Sequence, residues 1–423
     1  MQPHQDSNLL LLPSVRRRGL IVLLLGTFLM FGGFFMLIPL ISVHYVTDLR
    51  FTAAAVGVVL AARQLTQQSL TLFGGALADT WGPKGLLCWG LAIRSVAFAG
   101  LAWADSFISL LLLCILAAIG GALFDAPGRA AIAVLTEPAE RGRFFSLNGI
   151  AGGLGMTIGP LVGALLARFD FALVCFASGA CFALASLVTT IWLPPLVVKA
   201  ERSMLSGISQ AARNRPFVLF TLLLCGFWFM WVQLSISLPL AAQPLGTPVI
   251  GTPWGPLAIN GVAWVYALNA GLTVVLQYPL LRLAERWLRP LPIVIVGIAL
   301  MALGLGLVAT TATLGMLLGC VVLFSLGAML VQPTQQTVTA DMAEPAIVGS
   351  YFGFNALALA FGGGLGNLSG GWLYDMAKRW QMPALPWIIF CGVGLSVTVG
   401  LLLLDRARSR TRSARVAHSS SAS

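Results

Sequence analysis

The chain has 423 residues, 58% of them hydrophobic and 9% charged. Soluble domains carry about a quarter charged residues, so this composition excludes an ordinary soluble enzyme or binding module and points to a polytopic membrane protein. A net charge of +11 would suit a nucleic-acid partner, but the basic residues sit in short segments between apolar runs, which excludes that reading.

Arg16–Arg18 precede the first apolar run. They resemble the start of a signal peptide, but the run is too long and no A-x-A site follows, so the first span is expected to be retained. Apolar stretches of spanning length, about 17–25 residues each, are predicted at 19–44, 53–78, 85–104, 107–134, 144–167, 171–193, 217–240, 257–281, 290–311, 313–338, 347–374 and 385–404. This divides the chain into an N-terminal tail (1–18), a first six-helix half (19–193), a linker (194–216), a second half (217–404) and a basic, disordered tail (405–423). The linker opens with Pro194-Pro195, is rich in Lys, Arg and Ser, and reads as a hinge, with a short surface helix at 203–212. The uncharged, Pro- and Gly-rich loop 241–256 reads as an ordered cover over the outer mouth. With both termini inside, cytoplasmic segments hold 18 of the 25 Lys and Arg and outer loops hold four, namely Arg50, Arg168, Lys378 and Arg379. That bias predicts cytoplasmic termini. The tail beyond Asp405 is also suited to contact with anionic lipid. All seven Cys lie in apolar runs without a CxxC pair, and the three His are scattered, so neither disulfides nor a metal site is expected.

The chain also repeats itself. Gly121, Ala122 and Pro127 recur as Gly327, Ala328 and Pro333 at an offset of 206, while Glu137, Pro138, Gly142, Phe145 and Asn148 recur as Glu344, Pro345, Gly349, Phe352 and Asn355 at 207. Gly155, Gly159 and Gly163 recur as Gly362, Gly366 and Gly370, and LADTW (77–81) is echoed by LAERW (283–287). Two copies of one unit in an apolar chain are how transporters are built, with the substrate site at the interface between repeats.

Three local patterns carry chemistry. Gly75-Ala-Leu-Ala-Asp79-Thr-Trp-Gly82-Pro-Lys84 falls between the second and third spans, where glycines permit a tight turn and Asp79 stands at the membrane boundary. In the fifth span, glycines four apart (Gly155, Gly159, Gly163) form a smooth face for close helix approach, with Pro160 expected to bend the helix. Asp125 and Arg129 lie four apart in the fourth span, on one face. Together these resemble the major facilitator superfamily: an all-α fold of twelve transmembrane helices in two pseudo-symmetric halves. The first pattern is similar to its loop signature GxLADrxGrr, with Thr80 and Pro83 in two basic positions. The second is similar to the antiporter signature GxxxGPxxGG, with Ala164 in place of the last Gly. RQ at 63–64, QQ at 67–68, FGGALAD (73–79), GGALFDAPGRAA (120–131), RGRFFSL (141–147), GGWLYDM (370–376) and LPW (385–387) resemble the drug:proton antiporter branch and its MdtH-type multidrug transporters. The resemblance implies efflux by alternating access driven by proton entry, in a bacterial inner membrane and as a monomer. It also implies that the loop containing Asp79 holds the cytoplasmic side shut.

The departures between the copies single out further residues. By offset, Asp125 corresponds to Val331, Arg129 to Gln335, Arg63 to Asn269, and Arg94 falls near Leu300. The first half therefore keeps Arg63, Arg94, Asp125 and Arg129 within apolar spans, where each charge costs about 2.5–3.5 kcal/mol on insertion scales. Counting along the helices puts Arg63 and Arg94 roughly 15 Å from the outer ends and Asp125 roughly 27 Å down. That separates a midplane pair from a carboxylate near the gate. Asp125 is the candidate proton carrier; its other reading is a gate partner of Arg129. Arg63 and Gln67 are cavity candidates, joined in the second half by Trp228, Trp231, Asn269, Gln277, Gln332 and Gln335, while Arg94 reads as structural. Gly75, Asp79, Gly82, Lys84, Arg129, Gly155, Gly159, Pro160 and Gly163 are the gating candidates. The expected substrate is an amphipathic drug-like molecule exchanged for protons. The alternative is a specific metabolite or anion such as a siderophore, sugar acid or lipid-like molecule, bound through Arg63. No nucleophile–base pair, phosphate loop or cofactor motif suggests an enzyme.

Overall fold

The computed structural model describes residues 13–196, 209–245, 249–252, 255–258, 261–343 and 348–421; within these, the side chains of 72–81, 249–252, 255–258, 348–350 and a few other positions, including 409–421, lie outside the description. The candidates Gly75 and Asp79 therefore fall outside the described side chains.

Among the described residues there are twelve long helices, of which ten are long and apolar enough to cross a membrane. They are α1 (Pro13–Val43), α2 (Ala53–Trp81), α3 (Pro83–Gly100), α4 (Phe107–Leu135), α5 (Pro138–Leu166), α6 (Phe171–Trp192), α7 (Arg215–Trp231), α8 (Gly261–Trp287), α9 (Pro290–Leu307), α10 (Leu314–Met342), α11 (Val348–Ala358, running through a π turn at Leu359–Gly363 into Gly364–Trp380) and α12 (Leu385–Ser421). The two outside the ten are α2, whose run Arg63–Gln68 is polar, and α11, which carries Asn355, Asn367 and many glycines.

Local chemistry fixes the ends. Ser106 and Ser109 form a capping box on α4, and Thr313, 207 residues after Ser106, caps α10 by accepting from the Met316 amide at 3.3 Å. Pro83 and Pro290 stand at the first turns of α3 and α9, where no donor is missed. Both helix pairs, α3 with α9 and α4 with α10, match end for end at an offset of 207. The joint between α2 and α3 is a single residue, Gly82, at φ 74°, a conformation that favours glycine.

The structure corrects several boundaries. The expected seventh span breaks after Trp231 and resumes as a short helix at Ser237–Ala242. Pro239 has no amide for the Ser235 carbonyl, which accepts instead from Ser42 Oγ at 3.0 Å. The Leu234 carbonyl accepts from Tyr266 Oη. The eighth helix begins at Gly261 rather than 257, because Val249–Thr252 (β1) pairs antiparallel with Gly255–Ala258 (β2). The segment expected as a disordered tail continues α12 to Ser421, since no Gly or Pro interrupts it beyond Gly400.

The chain forms two compact units that do not follow the boundary between the sequence halves. Unit 1 comprises Met1–Ser203 with Leu234–Ala270 and Asn367–Trp372; unit 2 comprises Met204–Gln233, Gly271–Gly366 and Leu373–Ser423. In unit 1, α1 packs along α5 and α6, and α4 packs on α2 and α3. The α1–α5 seam rests on the predicted glycines. A Cβ on Gly155 would stand 2.5 Å from the Phe28 carbonyl oxygen, and one on Gly159 2.5 Å from that of Gly32, while Gly163 faces the Met36 carbonyl. Pro160 is buried inside this continuous helix. In unit 2, α9 packs on α10 and α12, and Gly366 of α11 meets the Phe229 carbonyl of α7 as Gly159 meets Gly32.

Candidate functional site

The polar residues of unit 1 converge on Gln67. Arg63 and Gln67 are one turn apart on α2, so their side chains share a face. Arg63 Nη1 donates to Gln67 Oε1 at 3.1 Å, and its Nη2 donates to Gln64 Oε1 at 3.0 Å. From α3, Arg94 Nη2 donates to the same Gln67 oxygen at 3.2 Å. The amide nitrogen of Gln67 points the other way and donates to Asp125 Oδ2 of α4 at 3.4 Å. With its oxygen facing two guanidiniums and its nitrogen a carboxylate, the Gln67 amide has one satisfactory orientation.

Both arginines are deeply buried, Arg94 at 2% and Arg63 at 7% exposure. Arg94 also donates through Nε to the Ala117 carbonyl at 3.2 Å and sets Nη1 3.2 Å from Met30 Sδ. Phe34 lies 5.0 Å from the Arg63 guanidinium and 5.2 Å from that of Arg94, so one ring faces both cations; Phe182 is 5.5 Å from Arg94. No carboxylate stands within 4 Å of either guanidinium among the described residues, and Arg63 Nε has no partner there. Close packing makes room for this chemistry. A Cβ on Gly121 would collide with the Arg94 guanidinium and lie 2.9 Å from Gln67 Cδ. Gly120 brings α4 to within a glycine's distance of Gly90 on α3.

The depth reading that separated Asp125 from Arg63 and Arg94 is corrected here: one glutamine joins all three. The gate pairing of Asp125 with Arg129 is also absent as an ion pair among the described residues. Arg129 is exposed, and the two residues instead line a cavity of about 130 Å³ with Thr27, Phe31 and Asn148. Thr27 Oγ1 donates to Asn148 Oδ1 at 2.7 Å beside it. Arg94, read as structural, sits at the heart of the cluster. Phe34, Met30 and Phe182 carried no sequence signal, although Gly120 and Gly121 lay inside the repeat.

The structure also revises the register of the repeat. Gly90, Arg94, Gly120 and Leu123 meet one another as Gly297, Met301, Gly327 and Leu330 do, all at 207. Arg94 is thus matched by Met301 rather than Leu300, and Asp125 by Gln332 rather than Val331. In unit 2, Gln335 is buried with Oε1 unpartnered among the described residues, Gln332 and Gln277 are half-buried, and the Trp228 and Trp231 rings pack edge-on at 5.4 Å. Asn269 is half-buried within unit 1. Lys84 is half-buried in the first turn of α3. No group of three or more His, Cys, Asp or Glu is placed to hold a metal ion among the described residues.

The model of the Major Facilitator Superfamily matches residues 23–263 and 257–422. The chain belongs to the major facilitator superfamily. It therefore has the superfamily's twelve-helix membrane fold, and its relatives are transporters. A protein named multidrug resistance protein MdtH from Proteus mirabilis (strain HI4320) is 37% identical over 403 residues, which cover 95% of this chain and 98% of that one. One of the same name from Yersinia enterocolitica is 37% identical over 392 residues, covering 92% and 95%. Among solved structures, a POT family transporter in complex with 5-aminolevulinic acid superposes with a TM-score of 0.77 at 12% identity, covering 91% of this chain and 96% of that chain. The nucleoside transporter NupG superposes with a TM-score of 0.71 at 16% identity, covering 92% and 98%. At such identities these structures speak for the fold alone.

Proposed function

We propose that this chain is a drug exporter of the bacterial inner membrane that exchanges amphipathic compounds for protons by alternating access, with both termini cytoplasmic. The transporter family and the names of its relatives support the drug class. The observation that carries the coupling is the hydrogen bond between Asp125 and Gln67, which ties the one carboxylate of the cluster to two buried cations.

The chemistry follows from charge. With Asp125 ionised, the cluster of two guanidiniums and one carboxylate carries one net positive charge. A proton on Asp125 leaves two, in a setting where unbalanced charge is costly. Protonation therefore changes which arrangement of α2, α3 and α4 is preferred, and an equilibrium moves only as far as that difference allows. Gly159 and its neighbours supply a seam along which α5 meets α1 closely, and the α2–α3 corner over Gly75–Lys84 is the proposed gate. Within unit 2, Trp228 and Trp231, with the amides Gln277, Gln332 and Gln335, offer apolar and hydrogen-bonding surface to varied ligands.

Arg63 and Arg94, without a carboxylate partner, favour a second reading in which the ligand is itself an anion. One experiment separates the two. Inverted vesicles holding the purified protein are given a pH gradient, and internal pH is followed on adding lipophilic cations, neutral drugs and organic anions. Proton release evoked by several unrelated lipophilic compounds, and abolished by Asp125→Asn, is the expected result. Release evoked by one class of anion alone would replace drug efflux by the second reading, and silence to the whole panel would count against both.

A further inference from the structure

Three consecutive arginines open α1, and the structure gives them different fates. Arg16 turns into the protein: Nη1 pairs with Glu137 at 2.9 Å, Nη2 lies 3.7 Å from Glu140, and Nε donates to the Leu135 carbonyl at 3.2 Å. Arg17 and Arg18 are exposed and have no carboxylate within 4 Å among the described residues. Both line a cavity of about 440 Å³ between α1 and α6. Its other walls are Ile21, Val22 and Leu25 of α1 and Val188 and Trp192 of α6, with Ser14 at the rim. Ile21 is 55% exposed and Trp192 48%, so the groove runs along a face that is apolar and uncovered.

We infer that this groove binds an anionic phospholipid. The pattern is two cations at one end, an apolar trough below them and an indole at the boundary. That is the order of chemistry in a phospholipid: phosphate, glycerol, acyl chain. Arg suits the phosphate because its planar donors match two oxygens at once. Trp192 is of the type enriched where a bilayer meets water, and basic pockets between membrane helices are suited to lipid headgroups. A free phosphate would satisfy the arginines but make no use of the exposed apolar surface of Ile21, Leu25 and Trp192 beside them, which is why the lipid is favoured over a soluble anion. The inference depends on membership of a membrane family and not on which solute is moved, so it stands or falls apart from the drug-export reading.

Native mass spectrometry of the detergent-purified chain tests it. The protein is titrated with phosphatidylglycerol, cardiolipin and phosphatidylethanolamine. The wild type should retain the two anionic lipids about tenfold more strongly than phosphatidylethanolamine, a difference of about 1.4 kcal/mol. Arg17→Gln with Arg18→Gln should bring that preference to within about twofold, whereas Lys at both positions should keep most of it. Arg282→Gln with Arg286→Gln removes the same charge from the end of α8 and should leave the preference intact. The inference is overturned by a wild type without preference, by equal retention in the Gln pair, or by equal loss in the α8 pair. Displacement of the lipid by millimolar glycerol 3-phosphate would overturn it too, because the site would then be one for a soluble anion.

Discussion

Gln67 has one carbonyl oxygen and one amide nitrogen, and both are engaged inside the cluster, the oxygen by Arg63 and Arg94 and the nitrogen by Asp125. Gln67→Leu would leave two guanidinium donors short of an acceptor at a cost of about 1–3 kcal/mol for each buried group. The expected outcome is a lower melting temperature in detergent together with loss of gradient-driven efflux. Arg94→Met separates stability from coupling. The second half already holds Met301 in the matching place beside Gly327, and exchanging a buried charge for a packed apolar side chain is often neutral or stabilising by about 1–4 kcal/mol. The variant should therefore melt no lower than the wild type yet fail to drive efflux from a pH gradient. A drop in melting temperature with normal coupling would make Arg94 a structural residue after all. Sequence alone exposed the four charges but not the meeting of three of them, Arg63, Arg94 and Asp125, at Gln67. Counting residues along each helix placed Asp125 far below the arginines, and it omitted the reach of the long Arg and Gln side chains that closes that distance.

Among the elements, α5 tests whether the glycine pattern is a packing device. A Cβ on Gly159 would stand 2.5 Å from the Gly32 carbonyl oxygen and 3.1 Å from the Met36 amide, both backbone atoms that cannot rotate away. Gly159→Leu must push α1 from α5, which costs more than the about 1–3 kcal/mol of ordinary overpacking. The expected result is a destabilised, inactive protein. Gly153 on the same helix meets nothing within 4 Å. Gly153→Ala should be tolerated, with a gain in stability of up to about 1 kcal/mol from helix propensity. Equal thermal melts for both variants would remove the packing argument. The glycines were readable in the sequence because spacing by four is a property of the helix itself. The break in α7 was less so, although Pro239 was in plain view. Hydropathy runs unbroken through 217–240, and carbonyls left without a helical donor at the break are met by Ser42 and Tyr266, distant in sequence.

Across the whole molecule, the two copies share helix lengths, caps and glycine crossings but not chemistry. One copy has Arg94 and Asp125 where the other has Met301 and Gln332, so the buried charges of the cluster are confined to the first. The family and the twelve helices were legible because repeats and apolar runs are local. The register between copies was not, since an offset of 206 fits Pro127 and Pro333 while the helix crossings obey 207.

A division of labour follows from this asymmetry and can be measured. Gln335 is buried, and its Oε1 lacks a partner among the described residues. An unmet buried carbonyl costs about 1–3 kcal/mol, and a ligand able to donate a hydrogen bond would repay part of that. Gln335→Leu removes the penalty and the acceptor together. The variant should be as stable as the wild type or more so, and its proton release should keep the same dependence on the imposed gradient. What should change is the ranking of substrates, with compounds that carry a hydrogen-bond donor losing several-fold in apparent affinity relative to purely lipophilic ones. Asp125→Asn should show the reverse, with drug binding kept and the response to the gradient gone. If Gln335→Leu instead uncoupled transport while leaving the substrate ranking untouched, coupling would be spread over both copies, and the assignment of the proton to the first half would fail.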